Sequence, residues 1–99
     1  MIVVRNVFQL KIGKAREATA LAKEGVALFK KMGFTKGSRV LTDLSGNFYT
    51  LVLENSFDSL TDFEHAGKEA MGHEEWKTWY ARFSPLCEGG HRELFSVVE

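Results

Sequence analysis

The spacing of apolar residues changes along the chain in an order that few folds accommodate. Over residues 2–10, Ile2, Val4, Phe8 and Leu10 recur on one side at the two-residue period of a β-strand. Over residues 15–32 the apolar positions recur every three or four residues, which predicts an amphipathic helix that ends at Gly33. Strand patterns return over residues 37–44 and 47–57, around a turn at residues 45–46.

The second half of the chain continues with helical spacing and ends in a strand pattern. Ser59 is placed to cap a helix that Gly72 interrupts, and a second helical segment covers residues 73–83 before Pro85. A last strand is predicted over residues 92–98. The order β, α, β, β, α, β with right-handed crossovers predicts an α+β, ferredoxin-like fold, in which a four-stranded antiparallel sheet carries its helices on one face. At 99 residues, we expect one domain over residues 1–99.

Composition argues against several classes of partner. Thirteen basic residues balance thirteen acidic ones without a basic block, so nucleic acid is not expected as a partner. No apolar run approaches the ~20 residues of a membrane span, and residues after Met1 have a strand pattern rather than that of an export signal. Cys87 is the one cysteine, so no intrachain disulfide can form. These features predict a cytoplasmic protein.

The sheet face that the helices leave uncovered mixes apolar and charged residues. The predicted members are Val3, Arg5, Val7, Arg39, Leu41, Asp43, Phe48, Val52, Glu54, Glu93, Phe95 and Val97. A second identical sheet packed against this face would bury its apolar members and pair its charges. We therefore expect a homodimer through the open sheet face. The alternative is a monomer with scattered exposed apolar residues.

Asn6 interrupts the otherwise apolar, helix-facing side of the first strand. Asparagine is disfavoured in strands, and leaving its amide buried and unpaired costs about 1 to 3 kcal/mol. A partner is therefore expected, either a ligand or a backbone group or water.

Aromatic and polar side chains also converge near the break at Gly72. His73, Trp76 and Tyr80 are spaced i, i+3 and i+7 on one side of the last helical segment. Their spacing predicts a pocket between helix and sheet. The alternative is that the two aromatic residues fill the core and His73 caps the segment. The predicted ligand-binding residues are Asn6, Phe8, Phe63, His73, Trp76 and Tyr80.

Other catalytic and metal-binding signatures are missing from the sequence. His65, His73 and His91 share neither a helix face nor a ligand spacing, so no metal site is expected. There is no G-x-S-x-G motif or phosphate-binding glycine motif, and Cys87 has no base near it in sequence. We expect the protein to work without a cofactor.

Several short segments resemble known families. The segment FQLKIGK at residues 8–14 resembles the opening of dimeric α/β-barrel proteins. The segments HEEWKTW at residues 73–79, SPL at 84–86 and GHREL at 90–94 are similar to the C-terminal part of NIPSNAP-type domains. The resemblance implies a ferredoxin-like fold and a dimeric α/β barrel.

A related branch comprises the antibiotic-biosynthesis-type monooxygenases and the haem-degrading oxygenases. This branch uses an Asn on the first strand, a Trp on the second helical region and a His shortly after it. In this sequence Asn6 corresponds to the Asn, Phe63 stands where that Trp aligns, and Gly72 stands, beside His73, where that His aligns.

Two functional hypotheses follow. The first is a dimeric protein that binds a small apolar or aromatic ligand between sheet and helices without turnover. The second is a cofactor-independent monooxygenase acting on an aromatic substrate, in which Asn6 orients the substrate and His73 or Tyr80 moves a proton. The candidate catalytic residues are therefore Asn6, His73 and Tyr80.

Overall fold

The computed structural model describes residues 1–98 and contains four strands and three α-helices within them. The strands are β1 (Ile2–Leu10), β2 (Gly37–Thr42), β3 (Thr50–Phe57) and β4 (Cys87–Ser96). The helices are α1 (Ala15–Met32), α2 (Leu60–Met71) and α3 (Glu74–Phe83), and a single 3-10 turn, Ser84–Leu86, follows α3. The last residue of the predicted domain, Glu99, lies outside the described residues.

The strands form one antiparallel sheet in the spatial order β2-β3-β1-β4. This arrangement confirms the α+β, ferredoxin-like prediction. The strands β1 and β3 occupy the centre, while β2 and β4 are the edge strands and β4 pairs with β1. In this register Asn6 lies opposite Leu53 on one side and Arg92 on the other, which brings the two ends of the chain together at one site.

The helix ends agree with the residues that predicted them. Gly33 follows α1 at φ 74°, a left-handed conformation that glycine adopts without strain, and its N–H donates to the Lys30 carbonyl. The Ser59 side chain caps α2 by accepting a hydrogen bond from the backbone N–H of Asp62 at 3.2 Å. His73 occupies the N-cap position of α3 without a capping side-chain bond.

Trp79 fixes α3 against α1. Its indole Nε1 donates to the Leu21 carbonyl at 2.6 Å, and its ring stacks on Phe83 at 5.0 Å between centroids. The ring also lies directly over Gly25, where an added Cβ would come within 2.6 Å of Cε2. Gly25 is therefore required in the middle of α1 because the two helices approach closely there.

The hairpin between β2 and β3 is wider than the predicted turn at residues 45–46. The strands end at Thr42 and resume at Thr50, and residues 43–49 form the connection. The Asp43 carboxylate accepts a bond from the Thr50 N–H at 3.0 Å, and Gln9 donates to the Phe48 carbonyl at 2.6 Å, so the loop is tied to β3 and β1. Phe48, predicted on the open sheet face, lies in this loop instead and is 81% exposed.

The start of β4 also differs from the prediction, because the strand begins at Cys87 rather than near residue 92. Gly90 lies directly opposite Phe8, and a Cβ at Gly90 would lie 3.3 Å from the Phe8 Cα and collide with the Val7 carbonyl. This glycine therefore allows close strand pairing within β4 rather than a turn before it.

The open sheet face carries an ion cluster that is complete within one chain. Glu54 accepts hydrogen bonds from the Nε of Arg39 at 2.7 Å and of Arg5 at 2.9 Å, and its side chain is only 9% exposed. These bonds, that from Arg39 above all, hold the pKa of the Glu54 carboxyl below its usual range against the opposing effect of burial. The Arg5 guanidinium also lies 5.4 Å from the centroid of Phe95.

None of the helices formed by residues 1–98 is both long enough and apolar enough to cross a membrane.

Candidate functional site

A cavity of about 770 Å³ lies between the sheet and the helices α2 and α3. Its walls come from β1, β3, β4, α1, α2 and α3. The lining residues are Val4, Asn6, Phe8, Phe29, Leu53, Asn55, Phe57, Phe63, Ala66, Gly67, Ala70, Met71, Trp76, Lys77, Trp79, Tyr80, His91 and Arg92. This volume falls within the usual range for small-molecule sites.

Small residues on α2 leave this space open. Ala66, Gly67 and Ala70 of α2 line the cavity. Ala66 and Ala70 are buried, so their small side chains leave volume between α2 and the sheet unfilled. The small residues of α2 therefore contribute to the cavity.

Aromatic rings form the inner walls. Trp76 lies 4.8 Å from Trp79 and 5.4 Å from Phe29, measured between ring centroids. Phe63 contacts Phe57 edge to face at 5.5 Å. Because each ring is held by another ring, the walls are packed into position without a ligand.

One polar pair stands among these apolar walls. The Nε of Arg92 donates to the Asn6 Oδ1 at 2.7 Å, and the guanidinium lies 5.3 Å from the centroid of Phe63. Asn6 thus has the polar partner that its position in β1 requires, and the partner is a side chain of the neighbouring edge strand. Arg92 itself is exposed, so the pair lies where the cavity meets solvent.

The charged side chains that line the described part of the cavity are basic. Among residues 1–98, the lining includes the cations Lys77 and Arg92 and no aspartate or glutamate. Lys77 has Glu74 as a neighbour at 3.7 Å on the exposed side of α3. Within residues 1–98, Arg92 forms no ion pair with a carboxylate.

The structure brings together five of the six side chains predicted to bind a ligand. Asn6, Phe8, Phe63, Trp76 and Tyr80 all line the cavity.

His73 does not line the cavity. Its ring lies 6.2 Å from that of Phe34, beside the start of α3. The i, i+3, i+7 spacing did not place His73 with Trp76 and Tyr80, because the helix begins one residue later and His73 has the extended backbone of an N-cap.

Four polar or charged lining residues were not predicted from the sequence: Asn55, Lys77, His91 and Arg92. Asn55 accepts a bond from the Ser38 hydroxyl at 2.5 Å. Arg92 could have been found by alternation, since Glu93 and Phe95 were placed on the open face and their neighbour must then face the helices.

Of the remaining reactive groups, His91 lies in the cavity lining, whereas Cys87 and His65 lie outside it. Burial raises the pKa of the Cys87 thiol, which disfavours the nucleophilic thiolate. His65 and His91 are exposed and neighbour Glu69 at 3.9 Å and Glu93 at 3.0 Å. In the part of the chain that the structure describes, no three His, Cys, Asp or Glu side chains are grouped so that they could hold a metal ion.

Comparison of the sequence with protein-family models gave no match, and comparison with curated proteins also gave none.

Solved structures do match. A NIPSNAP domain protein from Burkholderia xenovorans superimposes with a TM-score of 0.85 at 16% identity, covering 99% of this chain and 95% of that one. A NIPSNAP family protein from Agrobacterium tumefaciens gives 0.87 at 16% identity, covering 99% and 86%. A candidate antibiotic biosynthesis monooxygenase from Chloroflexus aurantiacus gives 0.76 at 13% identity, covering 99% and 93%.

At these identities the similarity is one of fold. The higher TM-scores with NIPSNAP proteins agree with the resemblance seen in residues 73–94, and the lower one agrees with the more distant monooxygenase branch. The chain has the ferredoxin-like fold that NIPSNAP family proteins share with antibiotic biosynthesis monooxygenase-like proteins.

Proposed function

We propose that this chain is a homodimeric protein that binds a small apolar or aromatic molecule in the cavity between its sheet and helices. The observation that carries the proposal is the cavity itself, about 770 Å³ in volume and walled by Phe8, Phe63, Trp76 and Tyr80. Its rings are packed in place without a ligand, which lowers the entropic cost of binding. A cavity of this size and lining is the usual setting for a small-molecule site.

A fluorescence titration with an uncharged aromatic probe, N-phenylnaphthylamine, tests the binding. The wild type is expected to enhance the probe's emission and to transfer energy to it from Trp76 and Trp79. Ala66→Phe places a ring in the cavity and should abolish both signals. Ala27→Phe is the matched control, because Ala27 is exposed on α1 and outside the lining. Equal binding by both variants, or no binding by the wild type, would contradict the proposal.

The open sheet face supports the dimeric part of the proposal. Val7, Leu41 and Val52 lie on it only partly buried in one chain, and Phe95 is 48% exposed. The Glu54 carboxylate is already paired with two arginines, so a second sheet would cover a compensated cluster rather than an isolated charge.

The mass in solution tests the dimer. Sedimentation across micromolar concentrations should give twice the chain mass for the wild type and the chain mass for Val7→Asp. Ile12→Asp, at an 83% exposed position in the turn after β1, should remain dimeric. A wild type that sediments as a monomer would remove this part of the proposal and leave the cavity unaffected.

A second candidate function is a cofactor-independent monooxygenase acting on an aromatic substrate. It is favoured by the fold similarity to candidate monooxygenases and by the presence of Asn6 and Tyr80 in one cavity lining. Since His73 is outside the lining, Tyr80 would have to handle the proton. This hypothesis requires turnover, which the binding hypothesis does not.

Oxygen uptake with a panel of hydroquinones and anthrones separates the two functions. An oxygenase should consume oxygen with at least one of them, and Asn6→Ala should slow that uptake at least about tenfold. No uptake by the wild type would favour binding without turnover. A haem titration without a Soret shift at stoichiometric haem would exclude the haem-degrading variant.

A further inference from the structure

We propose that the ligand of the cavity is an amphipathic anion, a molecule with an aromatic or apolar body and a single oxyanion group such as a carboxylate. This proposal rests on the proposed function, because it names the class of molecule that the same cavity takes. The oxyanion would bind at the Asn6–Arg92 pair and the body would lie along Phe63 and Trp76.

The Asn6–Arg92 pair has hydrogen-bond donors that no other group among residues 1–98 uses. A guanidinium has five N–H donors and no acceptor, and the bond to Asn6 uses only Nε of Arg92. The two terminal nitrogens of Arg92 form no hydrogen bond with any of residues 1–98. Arg92 therefore retains the paired donors that bind a carboxylate in bidentate fashion.

Asn6 adds a donor on the same side. Its Oδ1 accepts from Arg92, which leaves the amide Nδ2 as a donor without a partner among the described residues. Every buried side-chain nitrogen or oxygen in that part of the chain has a hydrogen-bond partner. The unpaired Nδ2 is therefore accessible to solvent, and Asn6 lies in the cavity lining. The pair as a whole offers donors, because its one carbonyl acceptor is already engaged.

The charged residues around the pair also favour an anionic ligand. The chain as a whole is neutral, with thirteen residues of each sign, yet the cavity lining carries Arg92 and Lys77 and no carboxylate. Glu93, next to Arg92 in sequence, is turned to the other face of the sheet, where it bonds His91 at 3.0 Å. Among residues 1–98, no acidic side chain in the cavity lining thus competes with a bound anion.

The position of the pair fits a two-part ligand. Arg92 is exposed at the edge strand, whereas the aromatic walls lead inward from Phe63, over which the guanidinium already lies at 5.3 Å. An anion at Arg92 would stay partly hydrated and would avoid the cost of full burial. A ligand with its charge at one end and its apolar body at the other could contact both Arg92 and the aromatic walls.

Two fluorescent probes with the same aromatic body test the charge. Anilinonaphthalene sulfonate carries an oxyanion, and N-phenylnaphthylamine lacks it. The wild type should bind the sulfonate about tenfold more tightly or better, as expected for hydrogen bonds to a charged group. Arg92→Gln should remove this preference, so that the two probes bind the variant with affinities within about twofold of each other.

Further variants locate the effect. Arg92→Lys keeps the positive charge but lacks the planar guanidinium with its paired donors. This variant should retain part of the preference for the sulfonate probe. Arg82→Gln is the matched control, because Arg82 is also exposed, pairs with Glu24 at 3.2 Å and is outside the lining. This variant should leave both affinities unchanged. Ala66→Phe should abolish the binding of both probes, which places them in the cavity.

The outcomes are distinguishable. Equal affinity for the two probes, or a preference that survives Arg92→Gln, would overturn the anion proposal while cavity binding stands. Binding of neither probe by the wild type would overturn cavity binding and this proposal with it.

Discussion

The two faces of the sheet differ in how far their polar groups are paired within the chain, although neighbouring residues of β1 contribute to both. Arg5 faces the open side, where it and Arg39 enclose Glu54 and leave that carboxylate 9% exposed. Asn6 faces the helices, where it takes one donor of an exposed Arg92. The first cluster is satisfied within the chain, whereas the second retains donors. The first cluster therefore suits a role in stabilising the fold. The second suits the proposed role in binding a ligand.

The difference extends to the apolar residues around each cluster. On the helix-facing side, Leu10, Leu51 and Phe83 are fully buried beside a cavity whose lining includes the half-exposed Tyr80. On the open side, the apolar residues are partly exposed in a single chain. Substitutions on the helix side should therefore divide into those that damage the core and those that alter only the cavity.

The largest effect is expected from Phe83→Ala. Phe83 is 0% exposed, stacks on Trp79 and contacts Phe8 edge to face at 5.0 Å, so its removal should cost about 3 to 5 kcal/mol of unfolding free energy. Tyr80→Ala, on the same helix, should cost about 1 kcal/mol because Tyr80 is half exposed at the cavity. Urea denaturation measures both. Similar losses for the two variants would mean that the cavity wall is part of the core.

The next largest effect is expected from Glu54→Gln on the open face. The variant leaves Arg5 and Arg39 close together without the carboxylate between them, which should cost about 2 kcal/mol. The matched control is Glu93→Gln, on the same face but more exposed and paired with His91, which should cost no more than about 0.5 kcal/mol. If both cost equally little, the Glu54 cluster does not stabilise the single chain.

The pH dependence of stability should carry a smaller contribution from the same carboxylate, because protonation removes its charge but leaves its atoms in place. The pKa of Glu54 is lowered in the folded chain from 4.5, chiefly by the bond from Arg39. The folded chain then binds this proton more weakly than the unfolded chain. Its stabilising contribution is complete above pH 4.5 and is lost as the pH falls through the lowered folded value.

Denaturation at a series of acidic pH values, in wild type and Glu54→Gln, measures that contribution as the difference between the two curves. The gap should narrow as the pH falls below 4.5. A gap that stays constant into strong acid would show that the charge of Glu54 is not what stabilises the cluster.

The fold could be predicted because each element has a local cause. The two-residue period of β1, the cap at Ser59 and the glycine at 33 act over a few residues, and each is found where the sequence indicated. The hairpin at residues 43–49 could not be predicted in the same way, since Asp43 and Gln9 hold it by bonds across the sheet.

The aromatic walls of the candidate site could be predicted from the sequence, but the Asn6–Arg92 pair could not. Alternation and helical spacing brought Phe8, Phe63, Trp76 and Tyr80 to one lining, because rings on facing elements meet wherever those elements pack. Arg92 depends on the pairing of β1 with β4, a contact between residues 86 positions apart. The partner of Asn6 therefore required the strand register, which no local pattern contains.

The smallest change in stability is expected from Asn6→Leu, and this variant tests the contrast between the two faces most directly. The substitution removes the polar partner of Arg92, yet Arg92 is exposed and water can replace the lost bond. The new side chain also continues the apolar row of Val4 and Phe8. The unfolding free energy should therefore change by less than about 1 kcal/mol in either direction, measured by urea denaturation beside Glu54→Gln. A loss of about 2 kcal/mol, matching that of Glu54→Gln, would mean that the helix-facing pair is as structural as the open-face cluster, and the reason for assigning recognition to it would be gone.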